Sequence, residues 1–157
     1  MSSDLTPCGP AAPDGVRRLK TLIVDDHPAS ILLLQDMLAD CCECFAATSG
    51  PQAIALFEKA IKDMKPFDVV LLDIEMPGMS GIEVLKEMRA QEVECRKRDL
   101  LFNTVPFESK RYTRIIMQTA SENPQDLFDS YLKGKCNGYI NKPFRKSELL
   151  EKVLAIS

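Results

Sequence analysis

Four short apolar, strand-like runs in this chain each stop at a chemically active side chain. The groups at these stops are three carboxylates, a hydroxyl and a lysine: Asp25 and Asp26 after 22–24, Asp73 after 69–72, Thr119 after 115–118 and Lys142 after 138–141. Ligands of open parallel sheets bind outside the carboxyl ends of the strands, so we expect these five groups to share one pocket. Acids favour a hard cation, and a lysine beside a hydroxyl favours an anion. The set therefore indicates a site for Mg²⁺ and a phosphoryl group.

The apolar runs alternate with segments of helical periodicity. Strands are predicted near 19–25, 43–47, 68–73, 113–118 and 137–140, and helices near 28–40, 50–63, 81–94, 123–133 and 145–156. Five βα units in succession predict an α/β fold, a doubly wound parallel (βα)5 sheet with right-handed crossovers. The expected strand order is the flavodoxin-like 2-1-3-4-5, which makes strands 1, 3 and 4 neighbours.

Composition narrows the function classes. A chain of 157 residues fits one domain, and its net charge of −3 argues against nucleic-acid binding, which needs clustered Lys and Arg. No apolar stretch approaches the roughly 20 residues that span a bilayer, and the first residues lack the apolar core of a signal peptide. We therefore expect a cytoplasmic protein without membrane insertion.

Two segments depart from the βα pattern. Residues 1–16 are rich in Pro, Gly and Ser and are predicted to be a flexible leader, followed by one domain over 17–157. The connection 95–112 between helix 3 and strand 4 is unusually long, and 95–114 carries six basic against two acidic residues, a net +4. Either it is an elaborated loop or extended helix 3 whose apolar residues pack locally, or it docks an acidic partner or mediates self-association.

Four strings at the predicted strand ends carry a family resemblance: VDDHP (24–28), LLDIEMPGMSG (71–81), MQTA (117–120) and INKPF (140–144). In this order they resemble the receiver domain of two-component response regulators, the CheY-like superfamily, over roughly 19–156. Each string alone is weak, and their order and placement make the match specific.

The resemblance implies roles for the acids and the lysine. Asp73 would be the phosphoacceptor, since a carboxylate can form an aspartyl phosphate. Asp26 and Asp73 would bind Mg²⁺ directly, Asp25 through water and Glu75 through its backbone carbonyl, with Mn²⁺ able to replace Mg²⁺. Lys142 would pair with Asp73 and then with the phosphoryl group, and its bond to Pro143 is often cis in the family.

The resemblance also implies a switch. The Thr119 hydroxyl would move toward the phosphoryl group, and Tyr139 would swing inward with it, altering the face formed by helix 4, strand 5 and helix 5. Glu75 and Ser121, each two residues beyond a site residue, would tune hydrolysis of the aspartyl phosphate.

The implied function is a phosphoacceptor module, not an enzyme beyond its own phosphorylation and dephosphorylation. The phosphoryl donor would be a histidine kinase or a histidine phosphotransfer protein, and the module a monomer or weak dimer. No output domain follows in the chain, so a stand-alone receiver is expected. Alternatives are a receiver-like interaction module that is not phosphorylated, a domain excised from a hybrid histidine kinase, and a phosphatase of the haloacid dehalogenase type, which would need an Asp where Glu75 stands.

The cysteines and the single histidine suggest weaker hypotheses. The cluster Cys41, Cys42 and Cys44 lacks the paired ligand groups of a zinc site, so we expect ordinary reduced thiols. His27 follows the acid pair, and we expect it to cap or line the entrance to helix 1 rather than to relay phosphate.

Overall fold

Strands and helices alternate along the whole described part of the chain. The computed structural model describes residues 18–102, 112–132 and 135–155, so the leader 1–16 and most of the second half of the connection 95–112 lie outside it. The elements are β1 (Leu19–Val24), α1 (Pro28–Leu38), β2 (Cys42–Ala47), α2 (Gly50–Lys62), β3 (Val69–Asp73), α3 (Gly81–Phe102), β4 (Arg114–Thr119), α4 (Pro124–Leu127) with a following π-helical turn (Phe128–Leu132), β5 (Gly138–Asn141) and α5 (Lys146–Leu154).

The sheet confirms the predicted fold. Its five strands are all parallel and run in the order β2-β1-β3-β4-β5. Every residue of β3 is buried, as expected for the central strand of a sheet covered on both faces. Because all strands run the same way, their carboxyl ends, with the residues that follow, lie along one edge.

Two apolar cores cover the two faces of the sheet. On one face, α2 and α3 pack through residues such as Phe57 and Met88. On the other, α1 and α5 pack through residues such as Leu34 and Leu149. Both faces of the sheet are therefore shielded from water, and the polar groups at the strand ends are left at the rim. No helix in the described ranges is both long and apolar enough to cross a membrane.

Helix 3 is longer than predicted. It runs to Phe102 instead of ending near residue 94, because residues 95–102 hold neither Gly nor Pro and are rich in the helix formers Arg, Lys and Leu. The thiol of Cys95 bonds Asp99 one turn on. The structure thus has the extended-helix alternative, but Leu100, Leu101 and Phe102 at its end are exposed instead of packed locally.

Helix 4 is shorter and less regular than the predicted 123–133. The α-helical part is one turn, and a π-helical turn continues it to Leu132. Of its α-helical residues, only Pro124 and Leu127 are partly shielded, so little burial enforces a regular helix. The segment beside strand 5 is thus the least regular layer of the described fold.

A polar network joins α3 to the amino ends of β4 and β5. The Arg89 guanidinium donates to the carbonyls of Lys135 and Thr113 and pairs with Glu92 at 2.7 Å. Glu92 is buried, and its second oxygen accepts from the Thr113 amide at 2.8 Å. The stretch of chain between Glu92 and Thr113 therefore begins and ends at the same place in the fold.

Gly81 brings the start of α3 against the end of β3. Its amide donates to the Ile74 carbonyl at 3.0 Å, and a Cβ at this position would lie 2.2 Å from the Asp73 backbone oxygen. Only a residue without a side chain permits this approach. The geometry of the loop that follows Asp73 therefore depends on Gly81.

We expect Gly81→Ala to destabilise the fold by about 2–3 kcal/mol, because the methyl group would collide with rigid backbone. Thermal or urea unfolding of the two proteins measures the loss. The matched control is Gly138→Ala in β5, whose Cβ would meet nothing within 4 Å. Equal losses in both variants, or none in Gly81→Ala, would contradict the close approach.

Candidate metal and phosphoacceptor site

The carboxyl edge of the sheet gathers the predicted acids and the lysine. Nζ of Lys142 lies 3.4 Å from Oδ2 of Asp25 and 3.4 Å from Oδ1 of Asp73. Both aspartates are buried, whereas the Lys142 side chain is 27% exposed. The ammonium thus bridges two buried carboxylates that are 48 positions apart in the sequence. The Lys142–Pro143 bond is cis, as the resemblance suggested.

Asp26 and His27 complete the cluster on the side of α1. One ligand atom each from Asp25, Asp26, His27 and Asp73 lies within 4.8 Å of the others. Nδ1 of His27 is 3.1 Å from Oδ1 of Asp26, and the His27 amide donates to Oδ1 of Asp25 at 2.9 Å. His27 occupies the N-cap position of α1, but its side chain makes no cap hydrogen bond. It therefore lines the entrance, as expected.

The donor set fits a hard divalent cation. Three carboxylates face one lysine, so the charged groups at the centre are predominantly negative. Oδ1 of Asp26 is buried and makes no hydrogen bond within the described residues, and Nδ1 of His27, at 3.1 Å, faces it. Mg²⁺ and Mn²⁺ prefer such oxygen ligands. Asp25, Asp26 and Asp73 are the side chains that would hold the ion.

Thr119 lies at the carboxyl end of β4, the strand that pairs with β3. It is the last residue of β4, and its hydroxyl donates to the Glu75 carboxylate at 3.4 Å and accepts from the Ser121 amide at 3.0 Å. The Glu75 side chain also accepts from the Ala120 amide at 2.9 Å. Sequence reasoning assigned Glu75 a carbonyl ligand role, which stays a prediction, and missed this bridge from the loop after β3 to β4.

Tyr139 links β5 to the neighbouring helices. Its hydroxyl donates to Oε1 of Gln125 in α4 at 3.0 Å, and its ring lies 5.4 Å from the ring of Phe128. The Lys152 ammonium of α5 stands 6.0 Å from the ring centroid. The predicted switch tyrosine is therefore half-buried and touches both helices of the predicted output face.

Burial dominates the electrostatics of Asp73. It raises the pKa of this carboxyl from 3.8 to about 6, and the negative charge of Asp25 acts in the same direction. The Lys142 ammonium and the Glu75 amide lower the pKa and offset part of the rise. A carboxylate so placed gains from any cation that enters the site.

The cysteines lie away from this site. Sγ of Cys41 is 3.6 Å from Sγ of Cys42, and the five described cysteines are reduced thiols. Burial raises the pKa of the Cys42 thiol to about 12. A thiol that resists deprotonation is a poor nucleophile and a poor metal ligand, in line with the expected structural role.

The sequence of this chain matches a known protein family. The model of the response regulator receiver domain matches residues 21–154. The chain belongs to this family, and the resemblance inferred from the four strings is confirmed.

Curated relatives include sensor and regulatory proteins and a chemotaxis protein. The sensor protein GacS of Pseudomonas syringae is 30% identical over 139 residues, which are 88% of this chain and 13% of GacS. The regulatory protein RpfC of Xanthomonas campestris is 26% identical over 90% of this chain and 17% of its own length. The chemotaxis protein CheY-3 of Vibrio cholerae is 30% identical over 87% of this chain and 90% of its own. The chain thus spans a small part of the first two.

Solved structures agree with the fold. The chemotaxis protein CheY4 of Vibrio cholerae superposes with a TM-score of 0.64 at 28% identity, covering 87% of this chain and 97% of its own. The receiver domain of the sensor histidine kinase PA1611 of Pseudomonas aeruginosa gives a TM-score of 0.64 at 25% identity, covering 87% of this chain and 95% of its own. That structure has a magnesium ion coordinated in its active-site cleft.

We expect Asp73→Asn to stabilise the metal-free protein at pH 7.5 by about 2–3 kcal/mol, the equivalent of the pKa rise. Because the folded pKa lies above the unfolded one, the penalty for the buried charge is complete above pH 6 and disappears as the pH falls toward 4. The stability gain of Asp73→Asn should shrink as the pH falls over the same range. Urea unfolding in EDTA at a series of pH values measures it.

The control is Asp63→Asn on the surface. A hydrogen bond from Lys59 lowers the pKa of Asp63, so this carboxylate favours the fold at neutral pH and its removal should give no gain. A gain for Asp73→Asn that persists unchanged at pH 4.5 would show that burial of its charge is not the cause.

Proposed function

We propose that the protein is a phosphoacceptor receiver that takes a phosphoryl group from a phosphohistidine onto Asp73 in a Mg²⁺-dependent reaction. The observation that carries this proposal is the buried Asp73 carboxylate, held 3.4 Å from the Lys142 ammonium beside the two other acids. A buried carboxylate with an adjacent cation can act as a nucleophile and then stabilise the charge it acquires.

In the transfer, a carboxylate oxygen of Asp73 forms a bond to phosphorus as the bond from phosphorus to the donor histidine nitrogen breaks. The electron pair of that bond returns to the imidazole of the donor. Lys142 stands where it can follow the negative charge from the carboxylate to the phosphoryl oxygens. Hydrolysis by water later returns the carboxylate and releases inorganic phosphate, so the protein catalyses only its own phosphorylation and dephosphorylation.

The cation would be held by Asp26 and Asp73 directly and by Asp25 through water, with the Glu75 carbonyl as a further ligand. When bound, Mg²⁺ would neutralise the repulsion between the acids and the incoming phosphoryl group. The buried Oδ1 of Asp26, which makes no hydrogen bond to the described residues, supports this assignment. Mn²⁺ should substitute, because it accepts the same oxygen ligands.

Activation would follow from competition for the Thr119 hydroxyl. In the present arrangement this hydroxyl donates to Glu75, and a phosphoryl group on Asp73 offers a more strongly charged acceptor. Tyr139, which touches Gln125 and Phe128, would then move inward, and the short irregular helix 4 would adjust. The face of α4, β5 and α5 would become the binding surface for a target protein.

The partners are proposed from the chemistry of the site and from the receiver-domain family to which the chain belongs. The donor would be a histidine kinase or a histidine phosphotransfer protein, acting in the cytoplasm. Similarity to CheY-3 over most of both chains supports a stand-alone receiver, and similarity to a small part of the sensor protein GacS equally supports a domain of a larger protein such as a hybrid kinase. We propose a monomer or weak dimer. No described feature favours the phosphatase or the unphosphorylated interaction module.

We expect incubation with Mg²⁺ and a small acyl phosphate to add one phosphoryl group to the parent protein and none to Asp73→Asn. Intact-mass spectrometry detects the addition. The added phosphoryl group should be lost in alkali, and it should not form in samples treated with EDTA. The matched control is Asp68→Asn, a second aspartate near β3 whose oxygen accepts from the Lys20 amide, and it should phosphorylate as the parent does. Equal labelling of Asp73→Asn would overturn the assignment.

We expect Mg²⁺ with berylliofluoride, a phosphoryl mimic, to shift the amide resonances of α4 and β5 in the parent but much less in Thr119→Ala. Loss of the hydroxyl removes the group that, in the proposed switch, responds to the phosphoryl group and lets Tyr139 move inward. Two-dimensional ¹H–¹⁵N spectra measure the shifts.

Thr48→Ala is the control for the switch, since Thr48 also follows a strand but bonds Gln52 instead of a site residue. It should respond like the parent. Full α4 and β5 shifts in Thr119→Ala would exclude Thr119 from the switch.

A further inference from the structure

Gln118 carries a buried side-chain amide without a partner. Its Oε1 and Nε2 are both buried, and neither makes a hydrogen bond to the described residues. Other buried polar groups of the same strand region are satisfied: the Thr113 hydroxyl, for example, donates to the Phe67 carbonyl at 2.8 Å. An unpaired buried amide costs free energy of folding and calls for an explanation.

The strand register places this amide beside the acceptor. Gln118 is paired with Asp73 on β3 and with Ile140 on β5. Residues paired in this way project to the same face of a parallel sheet, and residues two apart along a strand share a face. Gln118 therefore lies on the face of Asp73, next to the strand that leads through Ile140 to Lys142.

The chemistry of an amide suits the space between an acid and an ammonium. The Lys142 ammonium has three donors, and its contacts to Asp25 and Asp73 are both long, at 3.4 Å. The amide oxygen can accept from an ammonium, and the amide nitrogen can donate to a carboxylate or phosphoryl oxygen. It does both without adding a fourth negative charge to a site that already holds three.

We propose that Gln118 is a positioning residue of this site. Its amide, unpaired in the unloaded site, bonds the Lys142 ammonium and an oxygen of the Asp73 acyl phosphate when the phosphoryl group is in place. Lys142 is thereby held against the phosphoryl oxygens, which speeds phosphorylation and prolongs the aspartyl phosphate. This role rests on the proposed function of Asp73.

The test compares the parent with Gln118→Met, which keeps the length and removes both polar atoms. With Mg²⁺ and acyl phosphate, the rate of mass gain should fall about tenfold, as for loss of a hydrogen bond to a charged group. Decay of the phosphorylated form, after donor removal, should be faster. The melting temperature of metal-free Gln118→Met should rise. Ile116→Val, on the same strand and face, is the control and should leave the kinetics unchanged.

The outcomes separate the two proposals. If the parent is not phosphorylated, the proposed function fails and the role of Gln118 with it. If the parent is phosphorylated and Gln118→Met gains stability with kinetics within about twofold, below what a lost hydrogen bond to a charged group would cause, Gln118 is structural only and the positioning role is overturned.

A second readout follows the amide directly. The side-chain NH₂ resonance of Gln118, assigned by its absence in Gln118→Met, should shift strongly when Mg²⁺ and berylliofluoride are added to the parent. The side-chain resonance of Gln52, whose oxygen already accepts from the Thr48 amide, should stay in place. An unmoved Gln118 resonance would overturn the proposal even if the kinetics change.

Discussion

The site depends on one costly placement, a carboxylate buried at the end of the central strand. Asp73 is only 2% exposed, and burial raises its pKa toward neutrality. Lys142 partly offsets that cost, and a divalent cation would offset more of it. The fold thus buries this carboxylate where any incoming positive charge stabilises it. The close approach of Gly81 to the backbone of Asp73 shapes the loop that follows this carboxylate.

The opposite edge of the sheet is held by a different interaction. Arg89 and Glu92 bind both backbone groups of Thr113, so the excursion between α3 and β4 is anchored where it leaves and where it returns. A long insertion closed in this way adds little entropic cost to the rest of the fold. This explains how α3 can extend to Phe102, with exposed apolar residues at its end, while the sheet keeps the strand order 2-1-3-4-5. Whether this segment docks an acidic partner stays a prediction.

Much of the fold and the core of the site could be predicted from local patterns. The apolar runs of β1 and β3 and the side chains that end them identified the sheet edge where Asp25, Asp73 and Lys142 meet. For residues 95–102 the sequence left an elaborated loop and an extended helix 3 both open, and only the structure shows the helix running to Phe102. The irregular helix 4 was missed, since its apolar spacing is helical but its burial is slight. Glu75 and Gln118 carried no local signal of their partners, which come from distant strands.

By itself, the sequence determined which chemical groups follow the strands, because strand ends are marked by a change in polarity that is local along the chain. The sequence also determined that the strands are parallel, because each strand is followed by a helix long enough to form the crossover to the next. Only the tertiary structure decided that Lys142 contacts Asp25 as well as Asp73, that the Thr119 hydroxyl donates to Glu75, and that the Gln118 amide makes no hydrogen bond. Those facts depend on side chains packed together across strands, where burial and distance, absent from the sequence, set the energies.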